Sequence, residues 1–81
     1  MNVSIRLFAR ARDLAGEELV EIDLPPKATV GELRQRLGER YPALRPLLAH
    51  LFIAINEEYA HDSDPVPPQA RMACFPPVSG G

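Results

Sequence analysis

Nine prolines stand in this 81-residue chain, six of them in adjacent pairs at 25–26, 67–68 and 76–77, with singles at 42, 46 and 65. Proline has no backbone donor and a fixed φ, so it ends helices and strands rather than lying inside them. The prolines punctuate the chain, and the regular elements are sought between them. Residues 2–8 alternate, with Val3, Ile5 and Leu7 on one side and Asn2, Ser4 and Arg6 on the other, the period of a half-buried strand. Residues 9–17 break that alternation, and Gly16 supplies a turn. Val20, Ile22 and Leu24 then alternate with Glu21 and Asp23 over residues 18–24, so the two runs suggest an antiparallel pair.

Pro25-Pro26 ends the second run. Thr29 precedes Glu32 by three residues, a capping-box spacing, and Val30, Leu33 and Leu37 recur at helical intervals. A helix over roughly 30–40 follows, with Glu32 and Arg36 placed to pair at i, i+4. Tyr41-Pro42 stops it, because the residue before proline avoids helical backbone. Leu44, Leu47 and Leu48 suggest a short helical turn that Pro46 begins. The apolar run Leu51–Ile55 reads as a strand that is central or covered on both faces. Asn56-Glu57-Glu58 is a turn, 58–61 a short strand, and 71–75 a last strand closed by Pro76-Pro77. The order β-β-α-β-(β)-β predicts a two-layer α+β fold: a ubiquitin-like β-grasp, a mixed sheet of four to five strands with one main helix on one face. In that topology the first and last strands are neighbours in mid-sheet.

A chain this short buries only about 60% of its unfolded surface, enough for one small core and no separate catalytic domain. Composition is ordinary for a globular chain, 46% hydrophobic and 25% charged, and the net charge of −2 gives no field for nucleic acid or an acidic membrane. No apolar run approaches the ~18 residues of a membrane span. Arg6 stands where a signal peptide would need apolar residues, and the single cysteine, Cys74, does not fit a disulfide-stapled secreted domain. The expectation is a cytoplasmic protein.

The chemistry concentrates in Phe75-Pro76-Pro77-Val78-Ser79-Gly80-Gly81. A terminal Gly-Gly arises by chance in roughly one chain in two hundred. Here it follows a proline-stopped strand and a stretch without charged side chains. A C-terminal carboxylate is unreactive until activated, for example as a mixed anhydride with AMP, and the activating site must admit the terminus. Two glycines allow close backbone approach, and the proline pair reduces the entropy lost on threading. The plain alternative is a frayed end without function. The organisation read this way is a domain over 1–75 and a flexible tail over 76–81.

The whole chain resembles the small subunits of molybdopterin synthase, a family of ubiquitin-like sulfur carriers. Leu7-Phe8-Ala9, Arg12-Asp13-Leu14 and Gly16, Thr29-Val30 and Leu33, Ala54-Ile55-Asn56 and the stretch Phe75–Gly81 carry the resemblance. It implies that an E1-like enzyme adenylates Gly81 with ATP, and that the adenylate becomes a thiocarboxylate fed by a sulfur donor. The carrier then docks on the large synthase subunit in a heterotetramer. Sulfur passes to a cyclic pyranopterin monophosphate in molybdenum cofactor biosynthesis. Pro77, Val78, Ser79 and Gly80 would thread the partner's channel, and Phe8, Phe75 and Pro76 would bind the partner. The catalytic side chains would belong to the large subunit, so this chain is not read as an enzyme by itself, and no cofactor is expected to be bound by it. Alternatives are a sulfur carrier for thiamine or tRNA thiolation, or a modifier conjugated through Gly81. One departure is Pro67-Pro68-Gln69-Ala70-Arg71, where the family often has a Gly-Asp-Glu turn.

Strand phase gives an independent argument for partners. If Met72 and Cys74 face the helix, Phe75 faces out, beside Phe8 of the neighbouring first strand, as an aromatic patch next to the tail. The alternative for Phe8 is to fold back onto the core. Cys74 reads as a buried small hydrophobe. His50, His61, Asp62 and Cys74 lack a metal-ligand spacing, so no metal is expected. Arg6, Arg10, Arg12 and Arg71 could gather into a basic area but read as solvated surface, and Glu57, Glu58, Asp62 and Asp64 as turn and surface carboxylates.

Overall fold

The computed structural model describes residues 1–76. Strand β1 (Asn2–Leu7) buries Val3, Ile5 and Leu7, and β2 (Leu19–Asp23) buries Val20 and Ile22, as the alternation dictates. They pair antiparallel from Asn2↔Asp23 to Arg6↔Leu19. Between them lies a helix that the broken alternation over 9–17 does not lead one to expect: α1 (Ala9–Ala15), closed by Gly16 at φ 78° with its N–H on Arg12 O at 2.8 Å. Gly16 is thus a left-handed C-cap rather than a plain turn. The helix is only two turns long and fully buries only Ala11, while Leu14 and Ala15 pack partly on the core. That i, i+3, i+4 set was the available signal, and small alanines mute it.

The main helix α2 (Val30–Arg40) starts where Thr29 Oγ1 accepts from Glu32 N at 3.3 Å and ends at non-helical Tyr41. Its Val30, Leu33 and Leu37 are fully buried beneath the sheet. Glu32 and Arg36 form no ion pair. Arg36 Nη1 instead donates to Asp23 O at 3.3 Å, because a carbonyl of β2 lies within its reach. Pro42, not Pro46, begins the first of two single-turn 3-10 helices, Pro42–Leu44 and Leu48–His50.

Strands β3 (Phe52–Ile55), β4 (Glu58–Tyr59) and β5 (Arg71–Phe75) complete one mixed sheet in the order β2-β1-β5-β3-β4. β5 runs parallel to β1 and antiparallel to β3. This is the β-grasp arrangement, with first and last strands side by side in the middle. β3 is flanked by strands on both sides, yet its two faces are not both covered: Ile53 is buried, while Phe52 stands open to solvent. The apolar run arises because Phe52 serves the outer face and Ile53 the core, not because the strand is enclosed.

Candidate functional site

Everything on the outer face follows from the position of β5. The register Leu7↔Cys74 and Phe52↔Phe75, with Phe8 N donating to Cys74 O at 3.1 Å, draws three distant segments to one corner of the sheet. Met72 and Cys74 point to the core, so Ala73 and Phe75 point out. Phe8 lies 6.3 Å from Phe75 between ring centroids, edge to face, and does not fold back onto the core. Phe52 is 6.4 Å from Phe75, and Tyr59 is 5.7 Å from Phe75 and 5.8 Å from Phe52. These separations are those of favourable aromatic contacts. Phe8, Phe52 and Tyr59 nevertheless expose 41%, 47% and 73% of their surface. A cluster of rings that is packed laterally and open above suits a partner's apolar side chains.

Strand phase alone makes Phe8 and Phe75 legible, but it does not mark Phe52 and Tyr59. Phe52 sat inside an apolar run, and Tyr59 joins only through the Ala54↔Tyr59 pairing of β3 with β4. Below the rings, Ala73 and Ala54 face each other across β5 and β3 and form a smooth floor. Two shallow hollows share this floor, one of about 370 Å³ bounded by Phe8, Tyr59 and Phe75, the other of about 340 Å³ bounded by Arg6, Asn56, Glu57 and Arg71. Arg6 and Arg71 line the same hollow, while Arg10 and Arg12 sit on α1. Arg6 is held by Glu18 at 2.8 Å.

Pro76 follows β5 directly at the ring cluster. Pro77, Val78, Ser79, Gly80 and Gly81 lie outside the described residues. Cys74 is fully buried on the core face of β5, and burial pushes its thiol up to about 11, so it offers no thiolate near neutral pH. Among the described residues no three His, Cys, Asp or Glu side chains converge as a metal site, and no helix is long and apolar enough to cross a membrane. Asp62 is engaged by Arg34, at 3.0 Å from Nη2 and 3.2 Å from Nε.

Residues 5–81 match the ThiS family. The chain belongs to that family. Across its full length it is 33% identical to the molybdopterin synthase sulfur carrier subunit of Arabidopsis thaliana, covering 84% of that protein. Among solved structures, SAMP1 from Haloferax volcanii superposes with a TM-score of 0.88 at 30% identity, with both chains covered to 100%. A second is the complex of subunits 1 and 2 of the molybdopterin-converting factor from Helicobacter pylori 26695, with a TM-score of 0.71 at 28% identity and 100% of both chains covered. The ThiS match runs through residue 81, so it takes in the Gly-Gly end as well as the sheet that carries the rings.

Proposed function

We propose that this chain is the sulfur carrier of a molybdopterin synthase. The observation that carries the reading is the placement of β5. The strand that leads into Pro76 and residues 77–81 ends inside the exposed ring cluster, so a partner seated on Phe8, Phe52, Tyr59 and Phe75 lies next to the start of the tail. Similarity over the full chain to a sulfur carrier subunit, and to a chain solved in complex with a second subunit, supports it.

In this reading an E1-like partner adenylates the Gly81 carboxylate with ATP, releasing pyrophosphate. A sulfur donor displaces AMP and leaves a thiocarboxylate. The carrier docks through Phe8, Phe75 and Pro76 on the large synthase subunit, two carriers and two large subunits forming the assembly. Pro77, Val78, Ser79 and Gly80 enter the partner's channel. The sulfur passes to cyclic pyranopterin monophosphate. This chain holds no cofactor of its own; its task is to present one carbonyl carbon.

Intact-mass spectrometry after incubation with activating enzyme, ATP and a sulfur source tests this. The expected product is heavier by the difference between one sulfur and one oxygen. Deleting Gly81 abolishes transfer and leaves the thermal unfolding curve unchanged; transfer that survives the deletion overturns the reading. A second reading, a protein modifier conjugated through Gly81, is favoured by the likeness to the small archaeal modifier protein 1 of Haloferax volcanii, 33% identical over 94% of this chain. It requires branched adducts on target lysines instead.

A further inference from the structure

The cationic side chains of this chain are eight arginines and one lysine, Lys27. For a chain whose terminal carbonyl is activated the difference is chemical. Guanidinium stays protonated and does not attack acyl groups, whereas an amine does. Lys27 is therefore the one side chain able to capture an activated Gly81 carbonyl as an amide. It occupies the third position of the turn Pro25-Pro26-Lys27-Ala28, where Ala28 N donates to Pro25 O at 3.2 Å and Lys27 takes φ 67°. The turn thrusts Lys27 into solvent, and it forms no ion pair among the described residues. The other amine, on Met1, is occupied: it donates to Leu24 O and stands 3.8 Å from Asp23.

The register separates this amine from the end of β5. Lys27 follows β2 past the Asn2↔Asp23 pair, while Phe75 follows the Leu7↔Cys74 pair at the opposite end of β1. Those two pairs are five residues apart along β1, about 17 Å. The five residues from 77 to 81 span at most ~18 Å when fully extended. Because β5 runs parallel to β1, it heads away from Lys27. The tail would have to reverse, retrace the whole sheet and then cover residues 24–27, so a copy cannot reach its own Lys27.

We propose that Lys27 is the acceptor at which one copy is acylated by the activated Gly81 of another, giving extended head-to-tail chains. This rests on the reading that Gly81 is adenylated. The Lys27 amine attacks the Gly81 carbonyl carbon of the acyl adenylate. The C–N bond forms, the C–O bond to AMP breaks, AMP leaves with the electron pair and the amine proton goes to water. Donor and acceptor at opposite ends make the link heterologous, so it extends without closing on itself.

The test uses the full chain carrying a lysine-free N-terminal tag, incubated with ATP and a lysate of source cells from which the untagged copies have been deleted, so that every acceptor lysine of this chain is the tagged one. Intact mass reports activation of Gly81, and tryptic mapping reports the link. Trypsin cuts after Arg71, so the link appears as residues 72–81 branched on Lys27. The expected result is an adduct of one added chain carrying that branch. It falls more than tenfold in Lys27→Arg, whose own Gly81 is still activated. Activation without any adduct, or an adduct that survives in Lys27→Arg, overturns the proposal. Absence of the activated mass in the unaltered chain overturns the underlying reading and the proposal with it, and is recognised by the missing mass change rather than a missing branch.

Discussion

Phe75 and Cys74 are adjacent in β5 and do opposite work, because successive side chains of a strand face opposite ways. Phe75 packs against three other rings on the open face, so truncation removes contact area for a partner more than it opens the core. If the proposed docking holds, Phe75→Ala is expected to weaken binding to the proposed large-subunit partner by about 1–3 kcal/mol, read by calorimetry, with little change in melting temperature; an equally large stability loss would count against the patch. Cys74 lies in the core, where burial outweighs the pull of Arg34 and raises its thiol from 9.0 to about 11. The folded state then keeps a proton that the unfolded chain gives up. The resulting stabilisation is whole below about pH 9 and is lost as pH rises to about 11. Tyr41, raised by burial and by its bond to Glu17, adds to the same alkaline loss. Denaturant titrations across this window are expected to show a shallower fall for Cys74→Ala than for the unaltered chain.

Elements here begin and end at chemistry readable over four residues. Two of the three proline pairs open the same Pro-Pro-Xaa-Ala turn, at 25–28 and 67–70, with the third residue left-handed: Lys27 at φ 67° and Gln69 at φ 60°. Proline at the second place and positive φ at the third is the type II pattern. The Gly-Asp-Glu turn of the resembled family is thus replaced by a proline-set turn, and Arg71 still enters β5. The hairpin between β3 and β4 carries Asn56 and Glu57 at φ 49° and 74°, the two left-handed residues of a type I′ loop. Asn56 is suited to that conformation and ties the loop to β5, accepting from Arg71 N at 3.0 Å. Glu57 is not suited, so Glu57→Gly is expected to stabilise by up to about 1 kcal/mol, seen as a higher melting temperature. At the other end of the scale, Thr29→Ala removes the α2 cap and is expected to cost about 1 kcal/mol in urea unfolding.

Across the whole molecule, Arg34 ties together segments that no local rule connects. From α2 it donates to Leu48 O and to Leu51 O, the latter at 2.8 Å, while also holding Asp62. Arg34→Ala leaves the part-buried Leu51 O without its donor and Leu48 O with only Leu51 N at 3.4 Å, and is expected to cost about 1–3 kcal/mol, measured by chemical denaturation; Arg34→Lys restores part of it. What the sequence alone determined is the local phase: which residues of β1, β2 and β5 face inward, where α2 starts and stops, and where prolines forbid continuation. These follow from the pleat, the helical repeat and the fixed φ of proline, all of which act within a few residues. α1 escaped because two turns of mostly small side chains leave a faint period. Only the tertiary structure decided that Phe52 and Tyr59 join Phe8 and Phe75, that Arg6 and Arg71 line one hollow, and that Lys27 stands a sheet's length from the end of β5. Strand order is chosen by burying many apolar side chains at once, and no window of sequence contains that sum.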